Sequence, residues 1–151
     1  MSRCMFSAVP DPDRDRPDLA AMVGRFGREL IAAERPVLAA HDVSMWGYIV
    51  LSALAEEPMR TQAALARAIG ADKTRIIGTL DELQERALIE REPDPEDRRV
   101  RLLRLTPAGR QLHASVQAGV RAAEERLLSG LTLADRRVFL RVLQRWSPAP
   151  D

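Results

Sequence analysis

Residues 61–106 decide the fold and read TQAALARAIGADKTRIIGTLDELQERALIEREPDPEDRRVRLLRLT. The first half contains two apolar runs at helical spacing, separated by a short turn that contains a glycine. The second half contains two strand-like runs, separated by a charged loop with two prolines. This order predicts two short helices joined by a tight turn, followed by a β-hairpin.

The turn between the two helices is marked by Gly70 and Asp72. Glycine takes positive φ without strain and so ends the first helix, while aspartate is a good N-cap for the second. The apolar positions of the second helix are Ile76, Ile77, Leu80, Leu83, Ala87 and Leu88. Such a pair predicts a helix-turn-helix, which presents its second helix to the major groove of DNA.

The first turn of the second helix carries Lys73, Thr74 and Arg75. These supply a cation, a hydroxyl group and a guanidinium able to pair bidentately with guanine. The alternative interpretation is a solvated helix start with ordinary surface charges.

The hairpin loop reads EPDPEDRRV, residues 92–100, and Pro93 and Pro95 make a continuous strand or helix unfavourable there. Four arginines crowd its descending side: Arg98, Arg99, Arg101 and Arg104. An arginine at a hairpin tip suits a narrow, negative minor groove. The acidic residues of the loop (Asp94, Glu96 and Asp97) leave open a solvated charged loop as the alternative. Together with the two helices, the hairpin predicts a winged helix-turn-helix.

Two segments resemble the MarR family of bacterial transcriptional regulators. The run DPEDRRVRLLRLTPAG resembles the family's wing and following helix start, and LARAIGADKTRIIGTLDELQERALIERE resembles its recognition helix and first wing strand. The resemblance covers about residues 38–109. The wing signature is filled by Asp97 and Arg99, followed by Leu105, Thr106 and Gly109.

The resemblance implies roles for particular residues. Arg99 would enter the minor groove, and Asp97 would brace the wing by pairing with a nearby arginine. The remaining DNA-facing candidates are Thr61, Gln62, Lys73, Thr74, Arg75, Thr79 and Arg98. One departure is that Ile77 and Gly78 stand where many members have a threonine followed by an arginine, so the operator sequence cannot be carried over from relatives.

The fold class expected is mainly α (α+β), with a two- or three-stranded wing; Met59 and Arg60 are the candidate third strand. Residues 1–17 form an N-terminal arm, residues 18–42 and 107–147 form dimerisation helices, and residues 43–106 form the DNA-binding lobe. Pro36 is expected to kink or end the first helix. Expected N-caps are Ser44, Asp72, Thr106 and Thr132, the last with Asp135 in a capping-box-like pair.

The outer helices carry more apolar surface than a small winged helix can cover, which predicts a homodimer on a pseudo-palindromic DNA site. The alternative is a monomer whose terminal helices pack on its own wing domain. The resemblance implies that a small aromatic or phenolic ligand releases the regulator, most often a repressor, from DNA. The candidate pocket residues are His41, Met45, Trp46 and Tyr48. The better supported alternative is that Met45 and Trp46 belong to the core and that His41 and Tyr48 are partly exposed surface residues.

Two other sensing chemistries have weaker signals. Cys4 is the only cysteine and could support thiol-based redox sensing, although only Arg3 lies nearby to activate it. His41 and His113 are the only histidines, and neither has metal-ligand spacing to another ligand, so no metal site is predicted.

The composition narrows the remaining classes. A net charge of +1 over 151 residues excludes a blanket polycation, and 4% aromatic residues argue against single-strand binding by base stacking. No apolar run is long enough to span a bilayer and no signal-peptide pattern is present, so a cytoplasmic protein is expected. Catalytic and phosphate-loop motifs are absent, so neither an enzyme nor a cofactor is predicted. A winged helix used only for protein–protein interaction stays open as a non-DNA alternative.

Overall fold

The computed structural model describes residues 16–56 and 61–146. The elements follow the order α1 (Leu19–Ala40), α2 (Met45–Glu56), α3 (Gln62–Ala68), α4 (Lys73–Glu85), β1 (Ile89–Pro93), β2 (Arg101–Leu105), α5 (Pro107–Leu128) and α6 (Leu133–Trp146). Within these ranges the sheet is one antiparallel hairpin, in which Ile89 pairs with Leu105 and Pro93 with Arg101. The predicted mainly helical α+β class is confirmed. The candidate third strand at Met59 and Arg60 lies outside the described residues.

The predicted helix starts are confirmed by their capping hydrogen bonds. Ser44 Oγ accepts from Gly47 N at 2.9 Å, and Thr106 Oγ1 accepts from Gly109 N at 3.0 Å. The same arrangement at α6 has Thr132 Oγ1 accepting from the main-chain N–H of Asp135 at 3.1 Å. Each such cap contributes about 1 kcal/mol to helix stability, so these residues fix where α2, α5 and α6 begin.

Three helices end in the same way, with a residue of positive φ just beyond the last turn. Asp42 (φ 52°) follows α1, Gly70 (φ 64°) follows α3 and Ala87 (φ 53°) follows α4. In each case the next residue donates its N–H back into the final turn, as in Ala71 N to Ala66 O at 2.8 Å. This Schellman arrangement satisfies carbonyl groups that the helix leaves unpaired. It turns the chain sharply at the positions where α2, α4 and β1 must follow.

Pro36 does not end α1, which continues through it to Ala40. Of the two expected outcomes, a kink or an end, the end at Pro36 is therefore wrong, since the C-cap of α1 is His41. The C-terminal turns of α1 are held by close packing on α5. A Cβ atom on Gly119 would lie 2.6 Å from Val37 Cγ1, so the two helices approach closely at this point.

The core lies where α2, α4 and α5 meet the hairpin. Its most completely buried side chains are Val50, Leu51, Leu65, Leu80, Leu83, Ile89 and Val116. The hydrophobic effect of burying these groups holds the helix-turn-helix and the wing together as one unit. The orientation of α4 relative to the hairpin is therefore fixed by packing.

The outermost helix contributes little to that core. No residue of α6 is buried, and Leu133, Val138, Val142 and Trp146 are all exposed. Phe139 of α6 packs edge-to-face on Phe26 of α1, with the ring centroids 5.2 Å apart. The predicted excess of apolar surface on the terminal helices is thus confirmed.

No single helix of the described ranges is long and apolar enough to cross a membrane. Only α1 and α2 taken together reach that length and composition, and they are bent by 86°.

Candidate nucleic-acid interface

The helix-turn-helix consists of α3 and α4, each with its own N-cap, joined by a turn of four residues, 69–72. Thr61 begins α3 by accepting from Ala64 N at 3.0 Å, and Gly70 ends it with positive φ. Asp72 then begins α4, since its Oδ1 accepts from Thr74 N at 2.9 Å. Gln62, a predicted contact, is half-buried at the start of α3. The predicted roles of Gly70 and Asp72 are confirmed, whereas the Thr61 cap was not predicted.

The first turn of α4 has a fixed backbone and an exposed outer side. The hydroxyl of Thr74 donates to Asp72 Oδ1 at 2.8 Å. The main-chain hydrogen bond from Thr74, followed by that hydroxyl, lowers the pKa of the Asp72 carboxyl, so the cap is ionised near neutral pH. Arg75 is exposed, with its Cζ 5.9 Å from the centre of the Trp46 ring. Lys73 begins the helix, and its side chain lies outside the described set.

The middle of α4 presents few polar groups. Ile77 is 44% exposed and Gly78 is exposed beside it. Ile76 and Leu80 are buried, so Ile77 lies on the outer side, not in the core. Thr79 is half-buried. Among the predicted DNA contacts on this helix whose side chains are described, the exposed ones are therefore Thr74 and Arg75 in its first turn.

The wing loop between β1 and β2 is held by its own main chain. Asp94 N donates to Val100 O and Val100 N donates to Asp97 O, both at 2.9 Å. Asp97 Oδ1 accepts from the main-chain N–H of Arg99 at 3.0 Å. Among the described contacts, Asp97 braces the wing through this backbone group, whereas the resemblance implied a pairing with an arginine.

A second aspartate in the wing was not singled out from the sequence. Asp94 is only 4% exposed, and its Oδ1 accepts from Glu96 N at 2.9 Å. An aspartate that bonds to the main chain two residues later forms an Asx-turn. The sequence signal was its position between Pro93 and Pro95, where neither neighbour donates an N–H group.

The two arginines at the tip of the wing differ from Arg104, which lies in β2. Arg98 and Arg99 lie exposed at the tip, and neither forms an ion pair with another described residue. Arg104 instead donates to Glu92 Oε2 at 2.5 Å across the hairpin. The tip therefore presents two guanidinium groups on an ordered loop, which is the arrangement required to reach a negative groove.

In the described part of the chain, the four candidate effector residues make contacts in different places. His41 is half-buried, with Nδ1 2.9 Å from Val37 O and Nε2 2.9 Å from Ser115 Oγ, so Nδ1 must be the protonated nitrogen. Met45 lines a groove of about 350 Å³ between α1 and α2; the other residues of this groove are Ile31, Arg35, Leu38, Ala39 and Val43. Trp46 contacts Arg75, and Tyr48 stacks on His113 at 5.8 Å.

His113 belongs to a second cleft that the sequence did not predict. Its ring is 8% exposed, and its Nε2 lies 3.1 Å from Ser52 Oγ. Burial, and secondarily the charge of Arg121, lowers the pKa of His113, so the ring is neutral at pH 7. The cleft of about 220 Å³ is lined by Leu54, Ala55, Arg104, Leu105, Arg110 and His113. The sequence feature that could have indicated this cleft is a histidine, His113, within the apolar stripe of α5.

Acidic groups surround the junction of α1, α2 and α5. Burial, followed by the charge of Glu124, raises the pKa of the Glu34 carboxyl. Burial also raises the pKa of the Tyr48 hydroxyl, which is therefore neutral over the physiological range.

No group of three or more His, Cys, Asp or Glu residues in the described ranges is placed to hold a metal ion.

Similarity to known proteins agrees with this geometry. Residues 41–100 match the sequence model of the MarR family. A Thauera aromatica protein assigned to transcriptional regulation of the hcr operon is 31% identical over 111 residues, which cover 74% of this chain and 67% of the relative.

Two solved structures of CouR share the fold. The structure of CouR from Rhodococcus jostii RHA1 bound to p-coumaroyl-CoA has a TM-score of 0.73 and 30% identity, and the match covers 89% of this chain and 94% of that one. The structure of the transcriptional repressor CouR bound to a 23-mer DNA duplex has a TM-score of 0.75 and 26% identity, covering 87% and 93%.

Proposed function

Because the chain belongs to the MarR family of DNA-binding transcriptional regulators, we propose that it is a homodimeric, cytoplasmic repressor released from its operator by a small ligand. In this proposal α4 enters the major groove with Lys73, Thr74 and Arg75, and Arg99 enters the adjacent minor groove. The observation that carries it is the ordered wing, whose tip exposes Arg98 and Arg99 on a loop closed by main-chain hydrogen bonds.

The dimer follows from the surface of α6. A helix with exposed Val138, Val142 and Trp146 and no buried residue needs a second apolar face to cover it. A twofold-symmetric pair would bury the apolar face of α6 that carries these three residues, together with the N-terminal half of α1, in both copies. It would also present two recognition helices to a pseudo-palindromic site about one helical turn apart.

The ligand proposal rests on the α1–α2 groove. A volume of about 350 Å³ and a lining that includes Ile31, Val43 and Met45 suit a small aromatic molecule. The relative CouR has been solved with p-coumaroyl-CoA, an aromatic acyl thioester. The two recognition helices of a dimer can have a spacing that fits DNA or one that does not. A ligand that binds more tightly to the second form would shift the dimer away from its DNA-bound shape.

Fluorescence anisotropy on duplex DNA from upstream of the chain's own gene tests this proposal. The parent is expected to bind with a log affinity that falls linearly with log salt, at a slope of about 0.9 per phosphate neutralised. Arg99→Ala is expected to weaken binding, whereas Arg137→Ala, which removes the same charge from the exposed side of α6, leaves it unchanged.

The outcomes separate the alternatives. If the parent binds no duplex at low salt, the protein-interaction alternative replaces the regulator. If Arg99→Ala and Arg137→Ala bind equally well, the wing placement is wrong although DNA binding stands. Redox sensing through Cys4, which lies outside the described residues, is not favoured by these relatives.

A further inference from the structure

Trp46 and Arg75 form a contact between α2 and the recognition helix. Trp46 is the second residue of α2 and is half-buried, and Arg75 is the third residue of α4 and is exposed. The Arg75 Cζ lies 5.9 Å from the centre of the Trp46 ring. A guanidinium within about 6 Å of an aromatic centroid is attracted by the negative face of the ring.

Both partners stand on rigid supports. The start of α2 is capped by Ser44, and Val50 and Leu51 of the same helix have no exposed surface. On α4 the next residue after Arg75 is Ile76, which is 2% exposed. Since the core fixes both backbones, the Cα atoms of Trp46 and Arg75 keep a fixed separation, which keeps the ring within reach of the Arg75 side chain.

In the first turn of α4, Arg75 has a long polar side chain, and the Trp46 ring lies close enough to set its direction. Thr74 is already committed to Asp72 through its N–H and its hydroxyl. A cation–π contact uses the face of the ring and leaves the N–H donors of the guanidinium available for guanine O6 and N7.

We propose that Trp46 is a positioning residue for Arg75, holding the guanidinium in the orientation that reads a base in the major groove. This inference rests on the proposed placement of α4 on DNA. Arginine loses much rotamer freedom when it is fixed in a complex, so a contact that restricts it beforehand raises affinity without touching DNA. Trp46 therefore contributes to base readout, whereas the sequence had assigned it to an effector pocket.

A double-mutant cycle tests the coupling. The proteins are the parent, Trp46→Leu, Trp46→Phe, Arg75→Ala and the Trp46→Leu/Arg75→Ala pair, each titrated onto the upstream duplex and onto a scrambled duplex of equal composition. Trp46→Leu is expected to weaken binding to the upstream duplex about two- to fivefold, the range of an exposed cation–π contact. Trp46→Phe keeps an aromatic face and is expected to recover most of that loss.

The decisive result is the effect of Trp46→Leu in the Arg75→Ala background, where it is expected to vanish. A merely structural role would give the same loss in both backgrounds, and on both duplexes, and would overturn the proposal. Arg75→Ala binding as tightly as the parent would also overturn it. Failure of the parent to bind duplex DNA at all would instead remove the proposed function, and this inference with it.

A measurement without DNA checks the contact itself. With fluorotryptophan in both positions, ¹⁹F NMR gives one resonance for Trp46 and one for Trp146, assigned with Trp146→Phe because Trp146 is exposed. Arg75→Ala is expected to shift the Trp46 resonance and leave that of Trp146 in place. An unshifted Trp46 resonance would overturn the proposal even where the variants of Trp46 fail to fold.

Discussion

Replacing Gly109 with alanine is expected to destabilise the protein. Gly109 is the third residue of α5 and lies against the backbone of Leu88, just before β1. A Cβ atom there would lie 2.0 Å from Leu88 O and 2.9 Å from Leu88 C, closer than the 3.0 Å limit of real Cβ contacts. Because the obstructing atoms are backbone, α5 and residue 88 must separate by about 1 Å.

The cost follows from what that separation breaks. Leu88 O accepts from Thr106 N at 3.1 Å and from Thr106 Oγ1 at 3.2 Å, and these bonds tie the helix start to the hairpin. Each is worth about 1 kcal/mol and overpacking adds about 1–3 kcal/mol, while alanine returns about 1 kcal/mol of helix propensity. The free energy of unfolding should fall by about 2–4 kcal/mol, which lowers Tm by about 5–15 °C in a chain of this size.

The assay is thermal unfolding followed by circular dichroism, at one protein concentration because a dimer's Tm depends on it. Two other helical glycines serve as matched controls. Gly119→Ala meets Val37 Cγ1 at 2.6 Å, a smaller overlap than the 2.0 Å approach to Leu88 O, and should lose less, whereas Gly78→Ala has no atom within 4 Å and should gain about 1 kcal/mol. A Gly109→Ala protein that melts within about 2 °C of the parent would refute the packing argument.

Three further predictions concern a helix end, a buried ring and the outer helix. Ala87→Gly should stabilise the protein by about 1 kcal/mol and Gly70→Ala should destabilise it by a similar amount, because both positions have positive φ; chemical denaturation measures both. His113 has a lowered pKa, so the unfolded chain binds a proton first and stability falls as pH drops through about 6.5; His113→Gln should flatten this dependence of Tm on pH. Val142→Asp, on an exposed apolar position of α6, should dissociate the proposed dimer in sedimentation velocity, whereas Gln144→Glu on the same helix should not.

Much of the fold could be predicted because local chemistry decides it. Asp72, Thr106 and Thr132 begin helices through bonds to residues only two or three positions away, so the sequence alone reveals them. Gly70 has the positive φ that its residue type favours. The continuation of α1 through Pro36 was not predictable in this way, because packing on α5, 80 or so positions later, outweighs the local preference of proline.

The candidate site was predicted less completely, for the same physical reason. Residues at a helix start or in the wing loop could be chosen by position, whereas a cleft depends on which side chains distant elements bring together. His41 is bonded to Ser115 and Tyr48 is stacked on His113, contacts that join residues more than sixty positions apart. No periodicity in the sequence distinguishes these partners from ordinary core neighbours.

Ile77 and Gly78 stand where many members of the family have a threonine and an arginine, so DNA recognition by α4 depends more on its first turn. An exposed isoleucine can contact a thymine methyl group but donates no hydrogen bond, and glycine offers no side chain at all. In the proposed placement, hydrogen-bonded base readout by this helix depends mainly on its N-terminal end, where Arg75 carries a guanidinium fork, because Thr79 is the one other candidate and is half-buried. A helix that reads bases with few donors gains most from having each one oriented in advance. The aromatic ring of Trp46 beside Arg75 provides that orientation, and we expect operator preference in this protein to be more sensitive to Trp46 than to any residue in the middle of the recognition helix.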